Sequence, residues 1–321
     1  HFRNGAVAIP QVATVLLQLV DEGVVSLDDR LSTWLPNVAY ADEVGLGQLA
    51  QMTSGYADYL WSDQFRAAFS ADPFRQWTPE ELVAMATVRP LVYPPGTNWN
   101  YSHTNYVILG LALEEITGRP LDELISERIL DPLGMTQTAD PGTPALLQPA
   151  LHAYSQERRV DLGIAQGVSF TEESTSWNPS WTLARGAIQN TDITDMATVI
   201  RAVGRGDLLT AQSHELQVAP TLRGRTTPVE GCPTCFVQGE GYTFGYGIVL
   251  TGDWLMQNPL FHGYAGVAAY LPDEDLAIAI AATYGPDAFD EDGEPRGNIA
   301  MTIFRDVAAA LAPDHQVPSR S

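Results

Sequence analysis

The sequence predicts an α+β fold in a single domain, with helices through its middle and an antiparallel sheet and one helix closing its end. Three observations carry that prediction. Apolar stripes that stop at glycine recur between residues 11 and 217. Aliphatic and aromatic runs separated by turn residues fill 242–283. At 321 residues, 45% hydrophobic and 17% charged, the chain is long and apolar enough to bury one large core.

The elements follow in order. Residues 11–22 are apolar on most faces and stop at Gly23, which reads as a buried helix with a glycine C-cap. Residues 46–53 and 79–87 read as short surface helices. Residues 103–117, closed by Gly118, read as a second core helix, and 121–130, 192–203 and 210–217 also look helical. Strands are expected over 242–250, 263–271 and 276–283, and a final amphipathic helix over 298–311. A mainly helical region therefore spans roughly 24–220. Residues 1–23 and 240–313 form the helix-and-sheet region, all within one domain covering 1–321.

Charge narrows the partners. Seventeen basic residues, all arginine because the chain has no lysine, face 39 acidic ones, for a net charge of −22. Such a surface repels nucleic acid and anionic lipid. No apolar run reaches 18 residues, so nothing here is expected to span a membrane. The acidic run 290–294 reads as a solvated turn, because its spacing is wrong for a calcium loop. No metal site and no cofactor is expected. The only cysteines, Cys232 and Cys235, lie in a Gly/Pro/Thr-rich loop. A local disulfide is the leading reading there, with free thiols or a redox or metal role as alternatives.

Several segments then combine. His1-Phe-Arg-Asn-Gly5 followed by Leu16–Gly23 resembles an F-R-x-G-S-x-x-K helix and its sequel. Leu49–Gly55 resembles L-L-x-H-x-S-G, and Pro94-Pro-Gly96 with Tyr101-Ser-His-Thr-Asn-Tyr106 resembles P-G-x-x-x-x-Y-S-N-x-N-Y. Leu130–Met135, Trp181–Ile188, Tyr246-Gly247 and His262 follow in matching order. Together they resemble the penicillin-recognising serine hydrolases, which include secreted D-alanyl-D-alanine carboxypeptidases, class C β-lactamases and related esterases. The resemblance implies a β-lactamase/transpeptidase-like fold, an antiparallel sheet flanked by helices with a mainly helical subdomain. Only five residues precede the helix that carries the family's nucleophile, so it also implies that the N-terminal strands are missing from this chain.

The family's chemistry needs a serine that attacks a carbonyl, a lysine three residues on that takes its proton, a relaying tyrosine and two backbone N–H donors for the oxyanion. Here Ala6 stands at the serine position and Ile9 at the lysine position, and neither can attack or ionise. Pro10 has no N–H to donate back toward Ala6, so the helix is expected to begin near Ile9 with a less regular turn before it. Tyr101 survives from the second motif, either to bind a ligand oxygen or as a structural tyrosine, while His103 replaces the asparagine and is a general-base candidate or a structural residue. In the third motif, His262-Gly263-Tyr264 looks about five residues short, which should close or reshape the cleft edge. Arg185 replaces a small family residue and could receive a carboxylate or form a surface salt bridge.

These readings favour a non-catalytic member, secreted or held in the cell envelope. It would bind a peptide, a cell-wall-like molecule or a protein partner through Tyr101, His103, Trp181, Arg185 and His262. A hydrolase or acyl transferase rebuilt around Tyr101, His103 and His262 is one alternative. A structural or interaction subunit is another.

Overall fold

The computed structural model describes residues 1–319. Its helices are α1 (Ile9–Asp21), α2 (Leu46–Ala50), α3 (Asp63–Ala71), α4 (Pro79–Thr87), α5 (His103–Thr117), α6 (Leu121–Ile125), α7 (Asp131–Leu133), α8 (Ile193–Arg205), α9 (Ala211–Gln217) and α10 (Ile299–Leu311). Its strands are β1 (Phe2–Arg3), β2 (Tyr154–Ser155), β3 (Glu172–Glu173), β4 (Asn190–Thr191), β5 (Thr243–Phe244), β6 (Val249–Thr251), β7 (Trp254–Gln257), β8 (Leu260–Phe261), β9 (Tyr264–Leu271) and β10 (Leu276–Thr283).

The main sheet is antiparallel, in the order β10-β9-β7-β6-β5, with β8 folded back onto β9. Strand β9 is its spine. It pairs with β10 from Leu276↔Leu271 to Thr283↔Tyr264 and with β7 from Leu255↔Tyr270 to Gln257↔Ala268. All eight residues of β9 are buried, so both faces of the sheet are covered there, and α8 and α10 pack against it. Its alanines and glycine leave room for those helices.

Helix α1 lies between the sheet region and the helical region, with most of its residues buried, and it packs against α5, α6, α8 and α9. The expected stop at Gly23 is present, with Gly23 at φ +70°. The expected start near Ile9 is present as well. Pro10 sits in the first turn, where its missing N–H costs nothing, and Gly5–Ala8 forms a separate 3-10 turn before it.

Two glycines set distances that matter for the site. A Cβ on Gly110 of α5 would stand 2.2 Å from the Ala184 Cβ, so glycine there lets the loop carrying Trp181 lie against α5. Gly247, at φ +79°, turns the chain between β5 and β6, and a Cβ on it would meet Ala13 of α1 and the Tyr106 hydroxyl at 2.8 Å each.

The structure departs from expectation in several places. The predicted strand 242–250 is two short strands broken by the turn at Gly247. The predicted helix 121–130 is α6 continued by a π-type turn, Ser126–Leu130. Helix α3 and strand β7 were not anticipated.

Candidate active-site cleft

A cavity of about 350 Å³ opens where α1, the start of α5 and the end of β7 converge. Gly5 and Ala6 of the 3-10 turn and Ile9 of α1 form its floor. Ile9 is only 1% exposed, so this corner of the site is packed as core. Tyr101 and His103 come from the segment entering α5. Trp181 to Leu183 form a third wall, and a loop containing Pro233, Thr234 and Phe236 a fourth.

The sheet wall is not the one expected. It is Gln257 to Phe261, running from the end of β7 through Asn258 and Pro259 into β8. Gln257 is buried and donates from Nε2 to the Gly247 carbonyl at 2.7 Å, which ties the wall to the turn against α1. The expectation that His262 faces the cleft is therefore corrected. His262 is not among the residues lining the cleft. It sits at φ +43°, stacks on Phe69 with ring centroids 4.5 Å apart, and bonds Glu157 Oε2 through Nδ1 at 3.0 Å. Burial pushes the Glu157 carboxyl up, but the adjacent imidazole and the Ser155 hydroxyl more than offset it, so the carboxyl lies below its usual value.

Arg185 is also outside the cleft. It is largely exposed and pairs with Glu114 at 2.9 Å, the surface salt bridge that was the alternative reading. Tyr101, His103 and Trp181 do converge, as expected.

Asp58, which sequence reasoning missed, completes the arrangement at His103. Its Oδ2 accepts from His103 Nδ1 at 2.9 Å, and its Oδ1 accepts from the Leu60 N–H at 3.2 Å. The carboxylate is 3% exposed and the imidazole 19%. With Nδ1 committed to Asp58, Nε2 is the free end of a ring that lines the cleft.

Tyr101 lies beside this pair, its ring centroid 5.3 Å from that of His103. Burial first, then the neighbouring Tyr242 and Asp58, push its phenol far above the usual value. At neutral pH Tyr101 therefore holds its proton. It can hydrogen-bond a ligand but is a poor base, and among the lining residues no lysine or arginine stands by to lower it.

Cys232 and Cys235 are disulfide-bonded, which decides among the readings left open for them. The bridged turn is a cleft wall, because Pro233 and Thr234 lie between the two cysteines and Thr234 Oγ1 donates to the Tyr101 carbonyl at 3.1 Å. Replacing both cysteines with serine should cost about 2 kcal/mol of stability and weaken any ligand held in the cleft. Thermal melting with and without a reductant checks the first effect. Among the described residues, no group of three or more His, Cys, Asp or Glu side chains is placed to hold a metal, and no helix is long and apolar enough to cross a membrane.

Comparison with known proteins bears on the family and the fold. The beta-lactamase family model matches residues 1–300. Penicillin-binding protein 4 of Amycolatopsis lactamdurans is 35% identical over 142 residues, covering 43% of this chain and 35% of that protein. A putative D-alanyl-D-alanine carboxypeptidase of Escherichia coli is 33% identical over 136 residues, covering 38% of this chain and 30% of that one. These matches thus span about a third of the relatives' own length. Among solved structures, a D-stereospecific amidohydrolase from Streptomyces sp. superposes with a TM-score of 0.77 at 25% identity, covering 97% of this chain and 86% of that one.

Proposed function

The chain belongs to the beta-lactamase family, and we propose that within it this protein binds a small molecule or peptide in the cleft without hydrolysing it. One observation carries the reading: Ala6 and Ile9, which the F-R-x-G-S-x-x-K resemblance aligns with the family's nucleophile and base, both line the cleft. An alanine methyl and a buried isoleucine can neither attack a carbonyl nor accept a proton, and loss of the nucleophile alone in a serine enzyme costs on the order of a million-fold. The paired change is also physically consistent, since a lysine kept without its partner would be a poorly compensated buried charge. Export to the cell envelope or beyond is part of the proposal. The disulfide supports it, because such bonds persist in oxidising compartments.

The Asp58–His103 pair favours a second reading, hydrolysis with rebuilt chemistry in which His103 Nε2 activates a water beside Tyr101. A panel of p-nitrophenyl esters and amino-acid amides separates the two. The binding reading expects rates within about tenfold of buffer and unchanged by His103→Ala. Turnover that disappears in His103→Ala and is absent from a mock purification would replace it with the hydrolase reading.

A further inference from the structure

The charge of the cleft indicates what it takes. None of the lining residues is an arginine, aspartate or glutamate, and the chain has no lysine. A ligand carboxylate would therefore find no cation there, inside a protein of net charge −22. A negative charge, the Asp58 carboxylate, is held behind the His103 ring. In the tautomer that donates Nδ1–H to Asp58, Nε2 is a lone-pair acceptor. Beside it stand the rings of Tyr101 and Trp181, whose π-faces attract cations.

One observation independent of the charge points to an occupant. The Trp181 indole N–H is buried with no hydrogen-bond partner, although Trp181 lines the cleft and is 5% exposed. Buried donors are normally satisfied, and each exception calls for a group to pair with it.

Resting on the reading that the cleft is a ligand site, we propose that it selects an organic cation with an apolar or aromatic body, its ammonium directed at His103 Nε2 with Asp58 behind, and that it rejects carboxylates. The body stacks against Trp181 and Tyr101, and an oxygen on the ligand can meet the Trp181 indole N–H. This charge preference is opposite to that of a site built around a lysine.

The test uses three probes with one phenyl body: 2-phenylethylamine, 2-phenylethanol and 3-phenylpropanoate. Each is titrated into the protein at pH 7.5 and low salt, with tryptophan fluorescence as the readout and competition between probes as a check. The amine should bind about thirtyfold more tightly than the acid, with the alcohol between them, and the gap should narrow as salt is raised. Asp58→Asn, which keeps the hydrogen bond from Leu60, should shrink the amine-to-acid ratio to within about threefold. His103→Gln, a variant at the cleft surface, should weaken the amine and leave the alcohol nearly unchanged. If all three probes bind with no charge order, or the acid binds best, the cation preference is overturned while the cleft remains a ligand site. If none binds, both fall. An unchanged amine-to-acid ratio in folded Asp58→Asn would also overturn the proposal.

Discussion

A protein carrying Ala6→Ser and Ile9→Lys together is expected to hydrolyse nitrocefin and D-alanyl-D-alanine peptides at least a hundredfold more slowly than an ordinary family enzyme. The two side chains restore the list of reactive groups but not their setting. Ile9 is 1% exposed among apolar neighbours, so an ammonium placed there is poorly solvated and is pushed toward its neutral form. Tyr101 is held protonated by burial, and His103 is tied to Asp58. The variant should also lose about 2–4 kcal/mol of stability, the usual cost of an uncompensated buried charge. Nitrocefin turnover and a melting curve of the same preparation check both effects. Turnover within a hundredfold of a family enzyme would mean that the scaffold has stayed catalytically intact and that only two side chains separate it from activity.

The second large effect lies outside the cleft. His262→Ala should destabilise the protein by about 3 kcal/mol at pH 7, because it leaves the Glu157 carboxylate largely buried without its imidazole and empties the ring stacked on Phe69. The sign of the pH dependence follows from Glu157. Its carboxyl lies below the usual value in the folded protein. The stability it contributes is therefore present at neutral pH and is lost as pH falls through that folded value. In the variant the imidazole is gone and burial is opposed only by the Ser155 hydroxyl, so the carboxyl shifts toward its neutral form and acid relieves part of the penalty. The difference in melting temperature between wild type and His262→Ala should accordingly shrink between pH 7 and pH 4. A difference that grows on acidification would show that Glu157 does not carry the effect.

Much of the fold was legible because its elements announce themselves locally. Helices α1 and α5 have apolar stripes that end at Gly23 and Gly118, and α4 and β10 were read with their observed bounds. Strand β7 escaped because all four of its residues are buried, so no alternation marks it, and Asn258-Pro259 follows at once. Helix α3 escaped because only Phe65 and Phe69 anchor it to the core. That gap propagated into the site. Without β7, the third motif settled on His262, which packs behind the cleft among Phe69, Trp177 and Trp181. Asp58 carried no local signal at all: it is 45 residues from the histidine it orients, and only the packing of the Tyr59–Trp61 turn against α5 brings the two together.

The proposal that the cleft holds no working nucleophile is tested most directly by intact mass after exposure to a fluorophosphonate probe and, separately, to a penicillin. The account predicts an unchanged mass under conditions that label a family enzyme completely, since Ala6 and Ile9 offer nothing to acylate and Tyr101 keeps its proton. A one-to-one covalent adduct that maps by peptide digestion to any residue lining the cleft would contradict it.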